Sequence, residues 1–147
     1  MIRKMKSSDL DRIMEIETFC FHDFWNRRQY EYELNDNPYA QLWVLVDDEG
    51  VIVGYYDLWI IFERAEIANI AIAPDCQHQG YGHLLMEHLL REAGKAGCET
   101  VALEVRASNA RAISLYENYD FSVINTKPGY YRQGGESEDG LYMMKGI

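Results

Sequence analysis

The sequence predicts an α/β protein whose central sheet carries helices on both faces. Three observations predict it: helical apolar spacing near the N-terminus, strand-like segments in the middle, and alternation of strand and helix after them. The chain has 147 residues, ordinary for one domain, and 48% of them are hydrophobic. We therefore predict a single domain over residues 1–147 with a substantial buried core.

The first part of the chain predicts one short strand and two helices. Residues 1–5 are expected to form the strand. Ser7 or Ser8 is predicted to cap the first helix, and Asn26 to cap a second that ends near Leu34. The residues predicted to face inward are Leu10, Ile13 and Met14 in the first helix, and Tyr30 and Leu34 in the second.

A block of strands follows. Residues 41–61 read as a hairpin, because two strand-like runs flank the turn at residues 47–50. A third strand is predicted over residues 66–73 and is stopped by Pro74. These segments build the antiparallel part of the predicted sheet.

The second half alternates helix and strand. A long helix is predicted over residues 80–96 and ends at Gly97, and Thr100–Arg106 is predicted as a strand. Ser108 or Asn109 is expected to cap the next helix. Short strands at residues 121–125 and 141–144 are predicted to flank a glycine-rich loop. The predicted inner face of the long helix comprises Leu84, Leu85, His88, Leu89 and Ala93.

The charge balance narrows the range of partners. Lys and Arg number 14 against 24 Asp and Glu, a formal net charge of −10. Residues 41–76 hold one basic and seven acidic side chains, a net −6. This balance argues against binding to nucleic acid or to an anionic membrane surface, and is compatible either with a basic partner or with solubility alone.

Cysteine usage and hydropathy predict a cytoplasmic protein. The three cysteines are far apart, which suggests neither a disulfide framework nor a zinc site, and the histidines lack metal-ligand spacing. The N-terminal segment lacks the apolar run of a signal peptide, and no segment reaches about 18 consecutive apolar residues. We predict no metal.

A glycine-containing loop is the first candidate binding site. The predicted strand at residues 66–73 runs into Gln77-x-x-Gly80-x-Gly82, and the long helix follows. Glycines allow close approach of the backbone to a ligand, and the free N–H groups of a helix start favour phosphate. Alone this pattern is weak, since a strand–helix connection that needs small residues is an equally good explanation.

Two further residues suggest proton transfer. Glu104 lies near the end of a predicted strand, where a carboxylate can act as a base. Tyr116 lies on the helix that opens at Ser108-Asn109, and a tyrosine can donate a proton. Each alone is compatible with a structural role, Glu104 as an ion partner of Arg106 and Tyr116 as a packed aromatic.

Together these motifs resemble the Gcn5-related N-acetyltransferases (GNAT). The resemblance covers essentially the whole chain and rests on the glycine loop, on residues 103–109 (Leu-Glu-Val-Arg-Ala-Ser-Asn) and on Leu115-Tyr116-Glu117-Asn118. Residues 103–109 with Tyr116 seven residues on, together with Tyr130-Tyr131 followed by Glu138-Asp139, are similar to the bacterial branch that acetylates the N-terminal alanine of ribosomal proteins. The resemblance implies a mixed, mostly antiparallel sheet of six to seven strands with a splayed cofactor cleft.

The resemblance also implies the ligands and the site. Acetyl-CoA would bind where the strands at 66–73 and 100–106 separate, with Glu104 as general base and Tyr116 as the acid that protonates the leaving thiolate. An amide near Ile72 would hold the developing oxyanion. The residues implied to contact the cofactor are Ile70, Ala71, Ile72, Gln77, His78, Gln79, Gly80, Tyr81, Gly82, Asn109 and Tyr116.

The implied acceptor is the N-terminal α-amine, alanine foremost, of a protein such as a basic ribosomal protein. Phe24, Trp25, Glu104, Tyr130 and Tyr131 would border it, although the aromatics near Trp25 also fit a packing role.

Lysine side chains, polyamines and small-molecule amines remain alternatives, as does a CoA-binding module without turnover. A Cys76–His78 nucleophile is disfavoured. We expect a monomer or weak homodimer. The acidic residues expected beside the acceptor are Asp57, Glu63 and Glu66.

Overall fold

The chain forms one sheet with two helices packed against each face. A computed structural model describes residues 1–133 and 135–147, and within them the sheet has seven strands. The elements are β1 (Ile2–Lys4), α1 (Leu10–Cys20), α2 (Arg27–Asn35), β2 (Ala40–Val46), β3 (Ile52–Ile61), β4 (Arg64–Ile72), α3 (Tyr81–Lys95), β5 (Thr100–Arg106), α4 (Ala110–Asn118), β6 (Ser122–Gln133) and β7 (Glu136–Gly146).

The pairing of β4 with β5 determines the shape of the sheet. The strand order is β1-β2-β3-β4-β5-β7-β6, and every neighbouring pair except β4–β5 is antiparallel. The parallel pair spans only four positions, from Arg64–Thr100 to Ile67–Leu103. Beyond them β4 stays with β3 and β5 stays with β7, so the two strands separate. The predicted mixed sheet and its splayed cleft are confirmed.

A bulge in β4 lies where the strands part. Asp57 of β3 is opposite Asn69 and Leu58 is opposite Ile67, so Ala68 has no counterpart in β3. One extra residue on one strand bends that strand and increases its local twist. The bulge therefore turns the last part of β4 away from β5.

Two apolar layers hold the helices to the sheet. Tyr55 and Tyr56 are consecutive residues of β3 and point to opposite faces, as strand geometry requires. Tyr55 packs beneath α1 and α2, with Leu10, Ile13 and Tyr30 in the same layer. The layer on the other face, which includes Tyr56, contains Leu85, Met86, Leu89, Leu103 and Tyr116 from α3, β5 and α4.

Two of the three predicted helix N-caps are confirmed. Asn26 and Asn109 accept hydrogen bonds from the backbone N–H three residues on, as predicted for caps. The prediction for α1 is wrong, because Ser7 lies inside a 3-10 turn, Ser7–Asp9. Asp9 instead accepts from the Lys6 N–H and forms an ion pair with Arg3.

Two other predictions also need correction. Leu84 is 47% exposed, and Met86 takes a buried place on α3 that the apolar spacing had not assigned. The predicted short strands at 121–125 and 141–144 are parts of the much longer β6 and β7. Irregular register between Lys127 and Tyr131 lets the hairpin continue past Pro128 and Gly129, whose residue types had suggested a loop.

A buried carboxyl group changes the interpretation of residues 41–76, the acidic middle segment of the chain. Asp57 is fully buried in β3, and burial together with the neighbouring Glu33 raises its pKa to about 10. Glu33 accepts from Trp59 Nε1 at 2.5 Å and from Asn37 Nδ2 at 2.7 Å. Asp57 is therefore neutral at pH 7 and cannot attract a basic acceptor. Glu63 is exposed in the turn between β3 and β4.

Replacing Asp57 with Asn should stabilise the protein increasingly as the pH rises. The native Asp57 keeps its proton up to a pH of about 10, whereas the unfolded chain releases it near its ordinary pKa of 3.8. The associated stability is complete at acidic pH and is lost as the pH rises towards 10. We expect the melting temperature of Asp57→Asn to exceed the wild-type value by several degrees at pH 8 and by less at pH 5. The exposed control Asp48→Asn should show no such trend, and equal behaviour of the two variants would contradict the assignment.

Candidate active site

A cleft of about 830 Å³ lies where β4 and β5 have separated. All of the predicted cofactor residues except Gln79 line it, together with Cys20, Phe21 and the α4 residues Arg111, Ala112, Ser114, Leu115 and Asn118. Gln79 is exposed and its side chain lies 3.5 Å from the Asp75 carbonyl oxygen. The structure thus brings together residues from β4, the glycine loop and α4.

The edge of β4 presents backbone groups to this cleft. The Ala73 N–H donates to the Val53 carbonyl in β3 at 2.8 Å, so by strand alternation the N–H groups of Ile70 and Ile72 point the other way. The Ile70 N–H is engaged by the Asn69 side chain at 3.0 Å. The Ile72 N–H therefore faces the cleft, where an amide is free to donate to a bound oxygen.

The glycine loop gives α3 an abrupt start. His78 and Gly80 have left-handed φ values of 66° and 84°, and α3 begins at Tyr81 directly after Gly80. The first N–H groups of a helix have no partner within it and carry the positive end of the helix dipole. Gly82 lies close to α4, since a Cβ there would be 3.4 Å from Leu115 Cδ2. The loop can therefore accept an anionic group in a narrow space.

Arg111 adds a charged group that the sequence analysis did not identify. Its Nη1 donates to Gln77 Oε1 at 2.6 Å, and Gln77 Nε2 donates to the Ile72 carbonyl at 3.1 Å. A guanidinium group on α4 is thereby held beside the glycine loop. Its position in the first turn of α4, two residues after the Asn109 cap, was the signal that could have indicated it.

A second cavity of about 640 Å³ lies on the α1–α2 face of the sheet. Of the residues expected to border the acceptor, Trp25, Glu104, Tyr130 and Tyr131 line it, and the lining residues that sequence reasoning missed include Asp23, Trp59 and Arg132. Phe24 is absent from this lining and is 46% exposed, because Asp23 and Trp25 on either side of it point into the cavity. Glu66 is the one acidic residue of the middle segment that reaches this cavity within the described chain.

Glu104 lies on the floor of the second cavity. Lys127 Nζ donates to its Oε1, and both side chains are partly buried, with exposed fractions of 36% for Lys127 and 21% for Glu104. A hydrogen bond with Glu104 also raises the pKa of Tyr130, and burial raises the pKa of Tyr131 to about 12. The floor therefore combines a carboxylate, an ammonium group and protonated tyrosines.

Arg106 connects the two walls of this cavity. Its guanidinium group pairs with Asp23 of the α1–α2 loop at 3.2 Å and with Glu138 of β7 at 3.3 Å. It also lies over the ring of Tyr131, 4.4 Å from the centroid. Glu138 accepts from the Ser108 N–H at 2.6 Å, which joins the start of α4 to the same group.

Tyr116 lies at the inner end of the first cleft. It is buried on α4, packs on Phe121 at a centroid separation of 5.9 Å, and also belongs to the cleft lining. Burial raises the pKa of Tyr116, so its hydroxyl group stays protonated at neutral pH. A protonated phenol in this position can donate to a leaving group.

A buried carboxyl group fixes the α1–α2 loop. Glu17 of α1 is 1% exposed, and its Oε1 accepts from Tyr30 at 2.7 Å, Tyr55 at 2.6 Å and Asn69 at 2.9 Å. Its Oε2 accepts from the Trp25 N–H at 3.0 Å. These bonds join both N-terminal helices, β3 and the bulged part of β4. Nothing in the sequence had indicated this role for Glu17.

Among the described residues no hydrogen bond joins Cys76 to His78, and the Cys76 thiol contacts Asp75 instead. Burial raises the pKa of this thiol, which disfavours a nucleophilic thiolate. No group of three or more His, Cys, Asp or Glu side chains suited to a metal ion occurs among the described residues. Within the same residues, no helix has the length and apolar character required to cross a bilayer.

The fold and the two adjoining cavities define a class of protein. The Acetyltransferase (GNAT) family matches residues 10–121, and the chain belongs to this family of acetyltransferases. The expected family is thereby confirmed.

The chain is also similar to individual proteins of this family. The chain is 32% identical over 142 residues to the [ribosomal protein bS18]-alanine N-acetyltransferase of Escherichia coli K12, covering 97% of this chain and 94% of that protein. It is 32% identical over 139 residues to the Salmonella typhimurium protein of the same name, covering 95% and 92%. The crystal structure of the Escherichia coli ribosomal-protein-S18-alanine N-acetyltransferase matches with a TM-score of 0.91 at 31% identity, covering 100% of this chain and 93% of that one.

Replacing Glu17 with Gln should destabilise the protein. The amide retains one oxygen acceptor but directs an NH₂ group at a buried donor, so we expect a loss of about 3 kcal/mol in the free energy of unfolding. Urea titration measures it.

The matched control is Glu15→Gln, on the same helix with an exposed ion pair to Arg12. This change should stay within about 0.5 kcal/mol. A similarly small effect of Glu17→Gln would show that the buried network contributes little.

Proposed function

We propose that the protein acetylates the N-terminal α-amine of a protein, with the alanine of a basic ribosomal protein as acceptor. The observation that carries this proposal is that Glu104 lines an open cavity next to the cleft at the separated strands. The second cavity, which we call the acceptor cavity, contacts β4 at Ile67 and Ala68. The cleft contacts the same strand at Ile70–Ile72. The names of the relatives point to the same acceptor.

The cleft fits acetyl-CoA. Its volume lies within the range of about 300–1,000 Å³ usual for ligand pockets. The N–H groups at the start of α3 and the Arg111 guanidinium suit the phosphates, and the outward-facing edge of β4 suits the amides of the pantetheine arm. Asn109 would contact this arm, and the acetyl thioester supplied by the cosubstrate would lie near Ile72.

The chemistry divides among three groups of this chain. Glu104 accepts the proton of the attacking amine, directly or through water. The Ile72 N–H stabilises the negative charge that develops on the carbonyl oxygen, a role worth about 3 kcal/mol in other acyl transfers. Tyr116 donates its proton to the sulfur as the carbon–sulfur bond breaks and the carbon–nitrogen bond forms.

An α-amine makes a small demand on the base. The ordinary pKa is about 7.8 for an N-terminal α-amine and about 10.4 for a lysine side chain. At pH 7.4 about a quarter of α-amines are therefore neutral, against about 0.1% of lysine side chains. Glu104 and Asp23 are paired with Lys127 and Arg106 and Asp57 is neutral, so the electrostatic attraction for a basic acceptor rests on Glu66. With such an acceptor we also propose cytoplasmic action, as a monomer or weak homodimer, without nucleic acid or membrane partners.

Conservative replacement of the two proposed catalytic residues should reduce turnover with little change in the fold. We expect Glu104→Gln and Tyr116→Phe each to lower kcat by about 100-fold, as loss of a proton-transfer group does elsewhere. Release of free CoA thiol measures the rate. The exposed control Glu99→Gln and the control Tyr119→Phe should retain wild-type turnover. Wild-type rates for both test variants would refute this mechanism.

A peptide experiment tests the acceptor. The enzyme is incubated with acetyl-CoA and a peptide that carries both an N-terminal alanine and an internal lysine, and mass spectrometry locates the acetyl group. We expect the label on the α-amine. Label confined to the lysine side chain would overturn the proposed acceptor while leaving the family assignment intact.

A further inference from the structure

Lys127 is the charged group closest to the proposed base, and no part of the catalytic scheme above uses it. It belongs to β6, whereas Glu104 belongs to β5, and β7 lies between the two strands. The register places Lys127 opposite Gly140 and Glu104 opposite Tyr142, so the side chain crosses the width of β7 to reach the carboxylate. This contact is therefore determined by the sheet and is remote in sequence.

The surroundings keep the ammonium group in place. Lys127 Nζ lies 5.0 Å from the ring centroid of Tyr130 and 5.4 Å from that of Tyr142, in addition to its contact with Glu104 Oε1. A cation between two aromatic rings and a carboxylate is stabilised by both kinds of partner. The hydrogen bond with Glu104 raises the pKa of Lys127, so the group remains charged throughout the working pH range.

The contact with Lys127 orients the Glu104 carboxylate. Lys127 engages Oε1, which directs the proton of an amine or of a bridging water towards Oε2. A carboxylate held at one oxygen has a defined orientation, and proton transfer depends steeply on such alignment. Without Lys127 the side chain of Glu104 would lose its charged partner and the orientation that this partner imposes.

The ammonium group also affects which amine the cavity accepts. The floor combines the negative charges of Glu66 and Glu104 with the positive charge of Lys127. A fixed cation beside the base repels a second ammonium group. This repulsion acts on nearly every lysine side chain at neutral pH, and spares the substantial neutral fraction of an α-amine.

We propose that Lys127 is a positioning residue, which orients the Glu104 carboxylate through Oε1 and supplies a fixed positive charge that favours α-amines over lysine ε-amines. The proposal rests on the proposed function, because it concerns the selectivity of the same acceptor cavity.

The test compares Lys127→Met and Lys127→Arg with the wild-type enzyme. Each is assayed with acetyl-CoA and two peptides, one with a free N-terminal alanine and no lysine, the other N-terminally blocked with a single lysine. We expect Lys127→Met to lower kcat for the α-amine peptide about tenfold with less than a threefold change in KM, since orientation is lost and binding is retained. The preference for the α-amine peptide should fall about tenfold, and Lys127→Arg should restore most of both values.

The controls separate the possible failures. Lys95→Met, at an exposed position on α3, should leave both peptides unaffected, and melting temperatures show whether each variant is folded. Wild-type kcat and an unchanged preference in Lys127→Met would overturn the role of Lys127 while the proposed function stands. Failure of the wild-type enzyme to acetylate the α-amine peptide would overturn the proposed function itself and the selectivity inferred from it.

Discussion

The structure depends on the short parallel contact between β4 and β5. Four residue pairs join the strands, and beyond Ile67 and Leu103 each strand keeps only its other neighbour. Without this early separation there would be no exposed edge of β4 and no cleft in the middle of a sheet. The bulge at Ala68 opens the cleft, because the extra residue turns the last part of β4 away from the C-terminal part of β5. Both cavities adjoin this strand, which explains how a cosubstrate and an acceptor amine could meet there.

Polar groups that are buried beside this opening maintain its geometry. Glu17 joins α1 to α2, β3 and the bulged strand through four different donor residues, and it also holds the loop that contributes Trp25. Arg106 joins the opposite wall to that loop through Asp23. A buried acceptor with all its donors in place specifies one arrangement, since each lost bond would leave an unsatisfied polar group. The acceptor cavity thus has walls held by charged side chains on rigid elements.

The sequence predicted local structure and the main motifs well, for identifiable reasons. Asn26 and Asn109 are caps because a side-chain oxygen satisfies a helix N–H three residues away, a relation visible in the sequence. The glycine loop could be located because two glycines and a helix start are adjacent in sequence. The pair of Lys127 with Glu104 could not, because it follows from the order β5-β7-β6. The side-chain direction of Phe24 and the neutral state of Asp57 likewise depend on packing between elements distant in sequence.

The short contact between β4 and β5 also has a mechanical meaning. The sheet consists of two parts, β1–β4 and β5–β7–β6, which pair with each other at only four positions. The side chains along this line, Ile67 and Leu103 among them, are buried in close packing, which resists rocking of one part of the sheet against the other. The width of the open end is therefore fixed by these four pairs and their packing, and a ligand enters a gap of preset size.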